Sequence, residues 1–127
     1  ADPLVGVWNV TGNLQALGVP ALPGRPSLIN GQMAFDTSGI VASDSDADSL
    51  PPLGGPTSMG YWKQTAQGQY SFSLQRNLLP GAVGKLEAQG TFTLNGDSLT
   101  GKVAMKLPQV SLPINYTIEG KRYVSSL

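Results

Sequence analysis

Cysteine and histidine are both absent from the 127 residues. That removes disulfides, thiolate nucleophiles, zinc sites of the usual kind and the imidazole base of a Ser-His-Asp triad. Charge is sparse: 13% of the residues carry one, and eight basic side chains cancel eight acidic ones. No long-range field is left to gather nucleic acid or an acidic membrane, and aromatic and basic residues do not interleave on one strand as base stacking requires. No apolar run reaches the roughly 18 residues that span a bilayer. A long amphipathic helix is missing too, so any sheet must bury its apolar face against another sheet or by curling on itself. The chain opens Ala1-Asp2-Pro3 rather than with Met. A removed secretory signal, and hence a secreted or periplasmic protein, is the expectation, with an expression scar or a trimmed chain as alternatives.

What the sequence does have is alternation. Leu86, Ala88, Gly90, Phe92 and Leu94 share one parity, and Lys85, Glu87, Gln89, Thr91 and Thr93 the other. That is a strand with one dry and one wet face. Asn95-Gly96-Asp97 supplies a hairpin turn, because Asn-Gly takes the positive φ angles of a tight turn. Residues 99–107 repeat the rule with Leu99, Gly101, Val103, Met105 and Leu107, and residues 110–123 resume it with Val110, Leu112, Ile114, Tyr116 and Ile118. Strands at 4–11, 32–35, 40–43, 59–65 and 70–76 bring the count to about eight, at which a closed sheet has room for side chains or one small ligand. The expected fold is a single all-β domain over residues 1–127, an antiparallel eight-stranded up-and-down β-barrel. A two-sheet sandwich is the alternative. Pro20, Pro23 and Pro26 bar a central strand or a helix interior. The stretch from Gly12 to Asn30 therefore reads as a long proline-rich loop after strand 1, folded over the barrel mouth.

Assembling the dry faces gives a candidate ligand-binding lining of Phe35, Tyr61 or Trp62, Tyr70, Phe72, Phe92, Met105, Leu112 and Tyr116. Both parities of residues 59–65 carry a large aromatic, so either face brings one inward. Such a wall with a few phenols suits a small apolar molecule fixed by one or two hydrogen bonds; an ordinary packed core is the alternative. Gly90 and Gly101 at inward positions either leave space or bend the barrel. Arg76 continues the Tyr70, Phe72, Leu74 face to one end of the barrel, where a guanidinium can hold a carboxylate bidentately. Lys63 enters a rim if Tyr61 faces inward and is otherwise solvated.

Asp44, Asp46 and Asp48 alternate as oxygen ligands of a calcium loop do. Positions six and twelve counted from Asp44 hold Ser49 and Gly55 instead of Gly and Glu, so the stretch reads as an acidic loop and no metal or other cofactor is assigned. Glu87 lies on a wet face, and without an interior carboxylate pair glycosidase chemistry lacks its reagents. No catalytic residue is assigned. Asn9-Val10-Thr11 and Asn115-Tyr116-Thr117 match the glycosylation acceptor.

Gly6-Val7-Trp8 near the start and Gly120-Lys121-Arg122-Tyr123 near the end resemble the calycin superfamily of lipocalins, fatty-acid-binding proteins and avidins. The resemblance implies that Trp8 plugs the closed end of the barrel and that Arg122 lies across its indole. Together with Gly60-x-Trp62-Lys63-x-Thr65, Tyr70-x-Phe72 and the run from Gly96 to Gly101, these motifs look like small bacterial lipocalin-like proteins. A fainter similarity is to barrels of the allene oxide cyclase and dirigent type, none of whose catalytic residues has a match here. Three readings stay open: a barrel that binds or shields a small apolar molecule, a cyclase or isomerase in the same cavity, and a filled barrel acting through its outer surface. In the last, Val5, Val7 and the proline loop would support a homodimer.

Overall fold

A computed structural model describes residues 2–13, 28–45, 57–77, 84–108 and 112–126. Eight strands form among them: β1 (Gly6–Asn13), β2 (Leu28–Phe35), β3 (Ile40–Ser45), β4 (Ser58–Ala66), β5 (Gln69–Asn77), β6 (Lys85–Asn95), β7 (Ser98–Lys106) and β8 (Ile114–Arg122). Each pairs antiparallel with the next in sequence, and β8 returns to pair with β1. The sheet is therefore a closed barrel and not a sandwich, and no helix forms among the described residues.

Period-two alternation carries one parity inward all the way round. Trp8 and Val10 of β1, Met33 and Phe35 of β2, Val41 of β3, Tyr70, Phe72 and Leu74 of β5, Leu86, Ala88 and Phe92 of β6 and Leu99, Val103 and Met105 of β7 are all buried. Their sequence neighbours face water. Burying each large member contributes about 1.5–3 kcal/mol relative to exposure.

Several strand boundaries differ from the sequence expectation, β1 and β3 running on to Asn13 and Ser45 and three strand starts moving by two residues or more. β1 begins at Gly6, because residues 2–5 form a turn in which the Val5 amide donates to the Asp2 carbonyl at 3.1 Å. A φ of 135° at Gly6, which favours glycine, carries the chain from that turn into the strand. β2 begins at Leu28, so Ile29 and Gly31 continue the inward row of Met33 and Phe35. β8 begins only at Ile114, after Pro113, which has no amide hydrogen to give to a ladder. Gly12, Asn13 and Leu28 to Asn30, expected in the proline-rich loop, thus lie in strands, and residues 14–27 lie outside the described residues.

The connections sort by end. Short turns join β2 to β3, β4 to β5 and β6 to β7, all at the end where β1 begins. At one of them the Asp36 carboxylate accepts from the Ser38 hydroxyl at 2.7 Å and the Ile40 amide at 2.9 Å. At another, Gly96 takes the positive φ of 63° that the Asn-Gly pair calls for. The four longer connections, β1 to β2, β3 to β4, β5 to β6 and β7 to β8, all emerge at the opposite end.

The short-turn end is closed by the segment before β1. Leu4 and Trp8 are fully buried, and the Trp8 indole donates to the Leu4 carbonyl at 2.9 Å. The Arg122 guanidinium lies 4.4 Å from the centre of the Trp8 ring. It also donates to the Asp97 carboxylate at 2.9 Å, to the Val5 carbonyl at 3.3 Å and to the Pro3 carbonyl. The Tyr70 hydroxyl donates to the Asp2 carboxylate at 2.6 Å, tying that segment to the far wall.

Candidate functional site

The interior divides into a filled half and an open half. In the filled half, next to the short turns, aromatic side chains pack on one another. Tyr70 and Phe92 stack with ring centres 5.4 Å apart, Phe35 lies 5.6 Å from Phe92, and the Trp62 ring meets Phe35 edge-on at 6.1 Å. The Trp62 indole donates to the Asp36 carbonyl at 3.1 Å. Burial, reinforced by the hydrogen bond to Asp2, pushes the Tyr70 phenol up to about 12, so it stays neutral.

Toward the long connections the barrel opens into two small adjoining lobes. One, of about 90 Å³, lies among Val10, Met33, Phe72, Val103 and Ile118. The other, of about 80 Å³, lies among Ser58, Arg76, Leu86 and Met105. They share Ile29, Ser43, Asp44, Ser45, Leu74, Ala88 and Tyr116 as walls. Arg76 reaches this site because β5 keeps its parity for one more step beyond Leu74, and it is only 7% exposed. Burial pushes the Tyr116 phenol up to about 12, with the nearby Arg76 charge pulling the other way. Tyr116 is therefore a neutral hydrogen-bond donor beside a cation. The site thus offers apolar side chains, three serines, one phenol and one guanidinium, with the exposed Asp44 bordering both lobes.

Of the residues expected to line a ligand site, Phe72, Arg76, Met105 and Tyr116 come together at the lobes. Phe35, Trp62, Tyr70 and Phe92 face inward but fill the closed half. Tyr61 is a correction: it points outward and is 70% exposed, because β4 turns the parity of Ser58, Gly60 and Trp62 to the interior. Lys63 shares the outward parity and is exposed. Leu112 also leaves the lining, since it precedes β8 and is exposed. Asp44 is exposed on β3, while Asp46 and Asp48 lie outside the described residues.

The inward glycines do not leave the space that the sequence suggested. A Cβ on Gly90 would stand 2.7 Å from the tip of the Phe72 ring, and one on Gly101 would stand 2.6 Å from the Phe92 Cβ. Gly12 is covered by the Tyr116 ring in the same way, at 3.1 Å. The serines at 43, 45 and 58 escaped sequence reasoning, although small polar residues at inward positions near a strand end were a readable sign of a less tightly filled region.

A larger depression of about 650 Å³ lies on the outer face of β1, β2 and β8, between Asn9, Thr11, Asn30, Thr117 and Glu119. Its walls combine outward polar side chains with the exposed Leu28.

No family model and no curated protein matches the chain. Among solved structures the barrel is similar to that of EF1p2_mFAP2b bound to DFHBI, with a TM-score of 0.64 and 14% identity over 95% of this chain and 94% of that one. A second similar structure is Rv2717c from M. tuberculosis, with a TM-score of 0.44 and 17% identity over 97% of this chain and 94% of that one. The class that the sheet topology defines is the closed eight-stranded antiparallel β-barrel.

Proposed function

We propose that this protein binds a small, largely apolar molecule in the open half of its barrel and holds an acidic group of that molecule at Arg76. The observation that carries the reading is the pair of adjoining lobes, one of them lined by the nine-tenths buried Arg76 guanidinium, at the end where the long connections emerge. A cavity of about 150 Å³ admits a benzene-sized molecule, so two adjoining lobes of about 90 and 80 Å³ suit one ring with a short acidic tail. Arg76 has five donors in a planar fork, and the neutral Tyr116 phenol can add another. The neighbour bound to DFHBI supports small-molecule binding by a barrel of this shape. Arg122 over Trp8 at the closed end supports a calycin-like reading of the barrel.

Turnover is disfavoured by placement. Of the polar residues a cyclase or isomerase could use, Tyr61 and Lys63 face out and Tyr70 is tied to Asp2 at the closed end, which leaves Arg76, a permanent cation and no proton-transfer group, in the cavity. Calorimetric titration with hydrocinnamate and with hydrocinnamyl alcohol tests the reading. The acid should bind about tenfold more tightly than the alcohol, and Arg76→Met should erase that difference while leaving the alcohol unchanged. Failure of both molecules to bind would refute the cavity reading; equal binding of both to the wild-type protein would refute the role of Arg76.

A further inference from the structure

The two lobes lie one behind the other along β5. Phe72 lines the first, Arg76 the second, and Leu74 between them lines both. The next strands keep the same order: Ala88 is shared while Leu86 lines the second lobe, and on β7 Val103 lines the first and Met105 the second. Because β5 runs from a short turn toward a long connection, the lobe at Phe72 is the deeper one and the lobe at Arg76 the outer one. Four residues separate Phe72 from Arg76, about 13 Å of strand, which a barrel tilt of roughly 40° reduces to about 10 Å of depth.

The deep lobe ends where the aromatic stack begins. Among the described residues Phe72 is the one ring that both lines a lobe and packs in that stack, its centre 6.0 Å from that of Phe92. Phe35, Tyr70 and Phe92 border neither of the two lobes. The Phe72 ring is held from behind as well, since it fills the place that a Cβ on Gly90 would take, 2.7 Å away. Backed by Phe92 and seated on Gly90, it has no room to retreat from a molecule pressing on it. Ser58 and Arg76, both buried, line the outer lobe alone, so a molecule with one polar end fits with its apolar end deepest.

We propose that Phe72 is the residue that sets the length of the molecule this site accepts, a limit that rests on the acid-binding role proposed for Arg76. With its acid held at Arg76, the ligand points its apolar body down the barrel until its end meets the Phe72 ring. About 10 Å of depth accommodates one ring on a short linker. A long-chain fatty acid is too long for it. The chemical class selected is therefore the short, unbranched, single-ring monocarboxylic acid. Shortening Phe72 uncovers the recess above Gly90 and lengthens the deep lobe toward Phe92, while a larger side chain on the same deep wall shortens it.

Calorimetric titration with phenylacetate, hydrocinnamate, 4-phenylbutanoate, 5-phenylpentanoate and dodecanoate tests this. Affinity should rise about fourfold for each methylene that carries the ring deeper, then fall about tenfold by 5-phenylpentanoate, with dodecanoate no tighter than hydrocinnamate. Phe72→Leu should move the optimum about two methylenes longer, and Val103→Ile, on the same deep wall, about one shorter. Phe35→Leu, in the filled half and bordering neither lobe, should lower the urea midpoint and leave the optimum in place. Circular dichroism establishes that each variant is folded. If no acid of the series binds, the proposed function fails and the length limit with it. If hydrocinnamate binds but affinity keeps rising to dodecanoate, the acid site stands and the limit is overturned. An optimum that a folded Phe72→Leu leaves in place also overturns it; were that variant not to fold, an optimum unmoved by Val103→Ile would do the same.

Discussion

The ring of Phe72 occupies the place where a side chain on Gly90 would stand, its tip 2.7 Å from the missing Cβ, across the ladder between β5 and β6. The lack of a side chain on one strand is thus what lets the aromatic of the next lie flat against the barrel wall. Gly90→Val would also set its Cβ 2.5 Å from the Lys102 carbonyl oxygen. We expect that substitution to cost about 2–3 kcal/mol by overpacking, read as a lower urea midpoint at unchanged slope. Gln89→Ala, one residue away and outward, should shift it by less than about 0.5 kcal/mol.

Arg122 joins the last strand to the segment before the first. Arg122→Met removes its stacking on Trp8 and its hydrogen bonds to Asp97, Val5 and Pro3. The exposed Asp97 pair counts for little of this. The stacking and the bonds to carbonyls should together account for about 2–3 kcal/mol. Urea unfolding monitored by Trp fluorescence gives the value, and a loss below about 0.5 kcal/mol would mean that the floor holds without it.

Two adjacent residues on β4 should respond oppositely to truncation. Trp62→Ala removes a ring packed against Phe35 and Tyr70 and should cost about 3–5 kcal/mol. Tyr61→Ser, measured in dilute solution, should change stability by no more than about 0.5 kcal/mol. Equal effects would contradict the parity of the strand.

Alkaline titration should unfold the protein early. The Tyr70 phenol is raised from 10.0 to about 12 in the folded chain, first by burial and then by its hydrogen bond to Asp2. The unfolded chain therefore gives up this proton first as pH rises. Stability is fully present below pH 10 and is lost between about 10 and 12, by on the order of 2 kcal/mol for this one group. Tyr116 acts in the same direction. Denaturant midpoints across that range should fall, and Tyr70→Phe should flatten the fall; a flat wild-type profile would be the contrary result.

Much of the barrel was legible because one face of each strand is dry and the other wet. The run from Leu86 to Leu94 alternates without a break, and its register follows from that alternation. Strand β4 was ambiguous because its outward parity carries Met59 and Tyr61, as large and apolar as Trp62 on the inward parity. Lys63, on the Tyr61 parity, was the sign of which face is wet. The site was less legible than the fold. Whether Gly90 marks a hollow depends on the neighbouring strand's register, which brings Phe72 opposite it, and no local pattern contains that information. Arg76 could be placed at one end of the barrel from parity alone; that it sits inside the rim rather than beyond it depends on how far β5 and β6 run together, to the pair of Asn77 and Lys85.

Every strand neighbours its sequence partner except at one place, where β1 meets β8. Of these eight strands β1 leaves the ribosome before the other seven, and its second partner, β8, after them. Until β8 arrives, both β1 and β7 offer unsatisfied backbone groups to any nascent chain nearby, and a sequence with so little charge has few lysines to discourage such pairing. Arg122, which closes the floor of the finished barrel, also ends this interval: it stacks on Trp8 directly opposite it in the last ladder to form.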